Sequence, residues 1–399
     1  MTQVPKRLLS IDIFRAVTMF FMIFVNDLGT LKGVPGWLEH AARLDDAMGF
    51  ADTIFPAFLF IVGLSIPHAI SARIARGATR NQVLTYISTR SLALLVMGFF
   101  HVNLENYNKA GALLPRPLWE ILITIGFFLI WLDYSPSLQR KKKMFLQWTG
   151  IVILILMAFL YSGVDKEGTV WMRPQWWGIL GLIGWAYLLG AVIFYYSKNR
   201  ISVLISALIF FSLLNIFYNA GWIDFLKPVK AYVWISGNGA MASLTMAGIL
   251  VSCLHKKFTE NNKPAQWWIA LSAIGVFMLA GGFALRPLLG GISKIRATPS
   301  WVMICTGISI LCFMFFSYLI DIKKKQSWFG IIRPAGTSTL TAYLLPYIHY
   351  SLFSFFGPVI ALPLVLRTGP VGIVKSLLYS LIIILITGLL EKRRIRLKV

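Results

Sequence analysis

His40 stands in Gly36-Trp37-Leu38-Glu39-His40, a connector between an apolar run ending at Val25-Asn26-Asp27 and another opening at Ala51-Asp52-Thr53-Ile54-Phe55-Pro56. Histidine exchanges its proton near neutral pH and is the side chain best matched to proton transfer there. Asn26, Asp27, Asp45, Asp46 and Asp52 are its polar neighbours in sequence. Polar and ionisable groups at the edge of a membrane-length apolar segment are costly and tend to be functional. The pattern points to a base, His40, with a carboxylate, Asp52 or Asp46, to orient it. Two plainer readings stand beside this one. His40 could be an interfacial histidine bonded to a carbonyl, and Asp52 an ordinary helix N-cap whose charge suits the helix dipole.

The elements that must position these groups are membrane helices. The chain has 399 residues, of which 57% are hydrophobic and 13% charged, and its mean hydropathy is +0.73. Soluble domains carry about 25% charged residues. A spanning helix needs about 20 apolar residues. Twelve segments qualify, over 11–29, 51–72, 82–104, 115–133, 143–162, 175–196, 201–219, 236–254, 266–288, 298–320, 335–356 and 370–390. The expectation is an all-α polytopic membrane protein, with residues 1–399 as a single integral-membrane domain. The first segment follows Lys6-Arg7 but lacks a small-x-small cleavage site, so it reads as retained.

Charge orients the spans. With the amino terminus inside, the cytoplasmic loops hold 23 of the 38 lysines and arginines, the opposite loops 12, and three (Arg15, Arg90 and Lys375) lie within segments. Both termini are therefore expected in the cytoplasm. The net charge of +23 reflects this bias and contact with anionic headgroups, not nucleic-acid binding. Cys253, Cys305 and Cys312 all fall in apolar segments, without metal spacing or a loop disulfide in view. No metal site, dinucleotide fingerprint, Walker loop or nucleophile elbow is legible.

Asp12 and Arg15 share a helix face and read as a local ion pair. Arg90 lies roughly 12 Å into the third segment at 1.5 Å per residue, too deep to snorkel, so it is expected to face a polar cavity. Asn103 and Glu105 lie at the outer end of the same segment. Arg116-Pro117-Leu118-Trp119 and Arg173-Pro174-Gln175-Trp176 read as interfacial Arg/Trp anchors, or alternatively as a duplicated helix pair.

Leu8-Leu9-Ser10-Ile11-Asp12-Ile13-Phe14-Arg15 followed by Phe24-Val25-Asn26, and His40 followed by Ala51-Asp52-Thr53-Ile54-Phe55-Pro56, resemble the transmembrane acyltransferase family that includes heparan-α-glucosaminide N-acetyltransferase. The likeness continues at Arg90-Ser91-Leu92, Val102-Asn103, Arg173-Pro174, Thr298-Pro299-Ser300-Trp301, Leu319-Ile320-Asp321 and Pro334-Ala335-Gly336-Thr337-Ser338. It is nearest to the bacterial branch associated with amino-sugar use. Where lysosomal members follow the histidine with Trp-Asn-Gly, this chain has Ala41-Ala42-Arg43-Leu44-Asp45-Asp46. The segments over 115–162 also exceed the lysosomal plan.

The resemblance implies acetyl transfer across a membrane, from cytoplasmic acetyl-CoA to a glucosamine-type amino sugar outside. Under it, His40 and Asp52 are catalytic. Asn26, Asp27, Asp46, Asn103 and Glu105 contact the acceptor side, Asn26 or Asn103 serving the oxyanion. Arg15, Arg90, Ser300 and Ser338 contact acetyl-CoA, the arginines meeting its anionic end. Direct transfer and an acetyl-His40 intermediate both remain open. The resemblance further implies a homodimer in a bacterial inner membrane, with no metal. Two other readings stand: a secondary sugar transporter, and an O-acyltransferase acting on a polysaccharide or lipid.

Overall fold

The computed structural model describes residues 8–166, 168–226, 228, 237–356 and 363–399. Lys6, Arg7, Lys227 and Lys230, which enter the charge count, and Ser236, at the edge of the eighth expected span, lie outside the described residues.

The described helices are α1 (Leu9–Leu28), α2 (Ala51–Ala75), α3 (Arg80–Asn103), α4 (Arg116–Trp131), α5 (Arg140–Phe159), α6 (Ile179–Ser197) and α7 (Ile201–Asn219). They continue with α8 (Ala240–Glu260), α9 (Pro264–Ala284), α10 (Pro299–Phe316), α11 (Arg333–Thr337), α12 (Thr339–Phe356) and α13 (Gly369–Lys392). A small antiparallel hairpin, β1 (Gly163–Asp165) with β2 (Gly168–Val170), pairs Gly163 with Val170. A π turn, Ser317–Ile322, extends α10.

Nine described helices are long and apolar enough to cross a bilayer: α1, α2, α3, α5, α6, α7, α9, α10 with its π turn, and α13. The other three expected spans are helical as α4, α8 and α12 but fall short on length or apolarity. The 16 residues of α4 reach about 24 Å. Helix α8 carries His255, Lys256, Lys257 and Glu260, and α12 carries Pro346, His349 and three tyrosines. Phe145, Trp148, Val152 and Phe159 of α5, Phe210 of α7, Phe277 of α9 and Leu378 of α13 are exposed. Outward apolar faces of this extent suit lipid rather than water. The chain is a multi-pass membrane protein.

The chain divides into two compact units. The first comprises Met1–Thr18, Pro35–Leu94 and Leu182–Gly330. Its centre is α2, apolar on every face and buried on most of them, as such a helix must be. Helix α8 packs along it, and α10 packs on α2 and α9. Phe60, Ile61, Leu64, Trp267 and Phe313 fill one core cluster. The α2–α8 contact is backbone on backbone. A Cβ on Gly63 would collide with the Thr245 carbonyl, and one on Gly248 with the Phe60 carbonyl. Small residues admit this approach where no hydrophobic effect drives helices together.

The second unit comprises Met19–Val34, Leu95–Gly181 and Ile331–Val399. Here α4 packs on α5 and α12, and α13 on α12. Trp119, read from sequence as an interfacial anchor, is fully buried and donates Nε1–H to the Met157 carbonyl at 2.8 Å. The carboxyl-terminal tail is tied down: Arg396 pairs with Asp133 and Glu391, each at 2.9 Å, and Lys398 with Asp133 at 3.1 Å. Lys32 bridges to Thr368, Tyr107 to Gly163, and Leu132 to Leu397. Each bridge joins segments that the charge count assigns to the same membrane face.

Substituting Gly63→Val or Gly248→Val is expected to cost about 3 kcal/mol, because backbone atoms cannot step aside as side chains do. Thermal unfolding in detergent measures it, and a wild-type melting temperature in both variants would disprove the close-approach account.

Candidate active site

In the first unit, the Asp52 carboxylate gathers three donors. His40 Nδ1 lies 2.7 Å from Asp52 Oδ1, and the backbone N–H groups of Ala41 and Gly49 donate to Oδ2, each at 3.0 Å. The Asp52 side chain is 1% exposed and that of His40 44%. A buried carboxylate is tolerable only when paired and hydrogen-bonded, and this one is. It is not an N-cap: Phe50 holds that position, and Asp52 reaches back into the preceding loop. With Asp52 accepting from Nδ1–H, the proton-accepting lone pair of the neutral ring belongs to Nε2.

The motif around Asp52 explains a second contact. In a continuous helix the Asp52 carbonyl would accept from the N–H of residue 56, but that residue is Pro56, which has none. The indole Nε1–H of Trp301, on α10, donates to it instead at 3.2 Å, with Cys305 Sγ at 4.0 Å. The carbonyl that proline leaves without its helical partner is thereby satisfied.

The His40 loop is held by its own backbone. Phe50 N–H donates to the Trp37 carbonyl at 2.7 Å and Ala51 N–H to the Leu38 carbonyl at 3.2 Å. Any Cβ on Gly49 would strike the Glu39 carbonyl, so only glycine fits there. Asp46 joins this loop to the one following α9. Arg286 Nε donates to Asp46 Oδ2 at 2.8 Å, and Ile292 N–H to Oδ1 at 2.6 Å. The Ile292 N–H and then the Arg286 guanidinium hold the Asp46 carboxyl below the usual carboxylate range. Gly291, with φ +80°, admits the carboxylate; a Cβ there would lie 2.6 Å from Oδ1.

That second loop carries Lys294, which sequence reasoning counted only as an outer-loop charge. Its Nζ lies 3.2 Å from His40 Nδ1, 3.4 Å from Nε2 and 4.0 Å from Asp52 Oδ1. Near-equal distances to both ring nitrogens set the ammonium against the ring face, off the in-plane lone pair of Nε2. Burial pulls Lys294 below the ordinary lysine range, and the Asp52 carboxylate opposes that pull. Ala297 in the same loop takes φ +51°, unusual for a non-glycine residue, and its carbonyl accepts from Asn215 Nδ2 at 2.9 Å. Only the glycine pair Gly290-Gly291 before a polar run marked this loop in sequence.

The remaining expected site residues make other contacts within their own units. In the first unit, Arg15 donates to Ser65 Oγ and pairs with Asp12 at 3.3 Å. Arg90 donates to the Tyr86 hydroxyl at 3.0 Å and its guanidinium lies 5.1 Å from the Tyr187 ring centroid. Ser300 is fully buried with an unpaired Oγ. In the second unit, Asn26 is exposed on α1. Asp27 is buried and saturated by Lys375 at 2.6 Å, Tyr350 at 2.7 Å and Ser376. The Asn103 amide spans the backbone of Arg173, accepting from its N–H and donating to its carbonyl, each at 3.1 Å. It also donates to the Phe99 carbonyl at 2.8 Å, so both ends are occupied by backbone. Glu105 is exposed and accepts from Trp177 Nε1 at 2.8 Å. Ser338 is buried with an unpaired Oγ. Among the described residues no group of His, Cys, Asp and Glu is arranged to hold a metal ion.

The Asp46 junction has a defined pH response. Its folded-state titration lies below its unfolded one, so its contribution is fully present above the unfolded value and fades as pH falls through the lower folded one. Amide protection factors over residues 285–298 are therefore expected to be unchanged from pH 7 to pH 5 and to fall in Asp46→Asn. Equal protection in that variant would show the junction to be passive.

The chain matches the heparan-alpha-glucosaminide N-acetyltransferases of Homo sapiens, at 35% identity over 107 residues, and of Mus musculus, at 33% over 102. These stretches cover 27% and 26% of this chain and span 15% of each relative's length. The family model described as a domain of unknown function, DUF5009, matches residues 7–222. That stretch holds α1 to α7 and both members of the His40–Asp52 pair, and it exceeds half of the chain. The chain belongs to the DUF5009 family.

Proposed function

We propose that this protein is a transmembrane N-acetyltransferase that moves the acetyl group of cytoplasmic acetyl-CoA to a glucosamine-type amine at the outer face. The observation that carries this reading is the 2.7 Å contact between half-exposed His40 and buried Asp52, which assigns the proton-accepting role to Nε2. The names of the two curated relatives supply the substrate class. In the direct route, His40 Nε2 takes a proton from the acceptor amine as its nitrogen bonds to the thioester carbonyl carbon. The C–S bond breaks, and the coenzyme A thiolate leaves and regains a proton. Asp52 holds the ring and balances the imidazolium that forms. In the two-step route Nε2 itself carries the acetyl group. Either route uses the same pair.

The wider reading comprises twelve spans, both termini in the cytoplasm, a bacterial inner membrane, a homodimer, and one acyltransferase domain over residues 1–399. Its sidedness is supported by the loop pairings within each unit. A second reading, a secondary sugar carrier, is favoured by one feature of the second unit. A cavity of about 660 Å³ there is lined by the Asp27–Lys375 pair, His349, Tyr350 and Tyr379, and ionisable residues inside a membrane mark transport paths as well as catalysis.

Purified protein in nanodiscs with acetyl-CoA and glucosamine separates these readings, since a carrier takes up sugar without consuming acetyl-CoA. His40→Ala is expected to insert and melt as wild type while losing acetyl transfer. Activity within about threefold of wild type, under about 1 kcal/mol of barrier, would remove His40 from the chemistry.

Sidedness is tested by impermeant thiol labelling in intact cells, with the native cysteines replaced. A cysteine at position 43 should label and one at position 142 should not. The reverse pattern, or labelling at both, would overturn transfer across the membrane.

A further inference from the structure

The oxyanion of an acetyl transfer needs a positive or hydrogen-bonding group beside the reacting carbonyl. One amide expected for this, Asn103, is spent on backbone. Lys294 lies at the base itself. We propose that Lys294 is a catalytic residue of the acetyl transfer, its ammonium poised against the His40 ring to receive the oxyanion. This rests on the acetyltransferase reading above.

The geometry suits the role. In direct transfer, an amine bonded to Nε2 places the attacked carbonyl within one bond length of that hydrogen bond. In the two-step route, the carbonyl carbon is bonded to Nε2. In both, the oxygen develops beside a ring whose Nε2 is 3.4 Å from Lys294 Nζ. The ammonium avoids the in-plane lone pair, so it does not compete for the proton-accepting position. The carbonyl π electrons move to oxygen as the new bond forms and return as the C–S bond breaks. Lys294 donates a hydrogen bond throughout and keeps its proton.

The loop is built to hold it. Lys294 Nζ is anchored 4.0 Å from Asp52 Oδ1. Its carbonyl accepts from Ala297 N–H at 3.0 Å. Ser293 and Thr298 close the loop around it: Ser293 N–H donates to Thr298 Oγ1 at 3.0 Å and Thr298 N–H to the Ser293 carbonyl at 3.1 Å. A functional group held by packing and backbone costs little to reorganise during reaction. The charged groups facing His40 are Asp52 from α2 and Lys294 from this loop. Cys305 of α10 lies behind Asp52, and Glu39 and Arg43 are the charged residues nearest His40 in sequence on its own loop.

The test compares wild type, His40→Ala, Lys294→Met and Lys294→Arg in nanodiscs, by acetyl-CoA kinetics and by thermal melting. Lys294→Met is expected to lower kcat about 100-fold or more with the KM for acetyl-CoA nearly unchanged, and Lys294→Arg to recover part of the loss at unchanged KM. An active wild type, an inactive His40→Ala and a Lys294→Met within threefold of wild type would overturn the role of Lys294 and leave the acetyltransferase reading standing. A wild type inactive toward every amine would overturn both.

Discussion

One buried carboxylate organises the first unit. Asp52 sits in the first turn of α2 with its charge out of water, so every lone pair left unmet would be costly. The cost is offset by drawing in the His40 ring and the N–H groups of Ala41 and Gly49, with Lys294 as a nearby countercharge. A loop of sixteen residues, 35–50, thereby closes over the end of a membrane helix. The same requirement explains why Gly49 has no side chain and why the histidine presents Nε2 outward. Stability and reactivity have one source here: the contacts that make the buried charge tolerable are those that aim the base.

The helical, membrane-spanning character was legible in the sequence because apolar windows and loop charges report directly on lipid contact. All twelve expected segments are helical in the described residues, and nine of them are long and apolar enough to cross a membrane. The His40–Asp52 pair was legible for a simple reason: only twelve residues separate its members, so the loop had few ways to avoid bringing them together. Lys294 was hidden. It stands 254 residues from His40 and has no motif of its own; only the close approach of two loops, through Asp46 and Gly291, gives it meaning.

Other residues show where residue type misleads. Asn103 has the chemistry of an oxyanion donor, yet its amide matches the spacing of a peptide N–H and C=O and is used as one. Asp46 has the chemistry of an orienting carboxylate, but a guanidinium and a backbone N–H claim it before the imidazole can. Arg90 was expected to need a polar environment at depth, and phenol and aromatic ring supply it through Tyr86 and Tyr187. In each case the sequence shows the demand for a partner but not which of several long-range partners meets it.

The glycine contact between α2 and α8 also limits how the molecule can move. Where two helices touch through backbone carbonyls, sliding by a fraction of a turn would drive a Cβ-bearing neighbour into the space that Gly63 or Gly248 keeps open. Rotation is opposed as well, because most of the other faces of α2 are packed. Asp52 is thus mounted on a shaft whose sliding against α8 is opposed by backbone contact. Any opening that admits a substrate to the first unit must come from the loops around the base, or from the outer helices that lean on this shaft without interlocking with it.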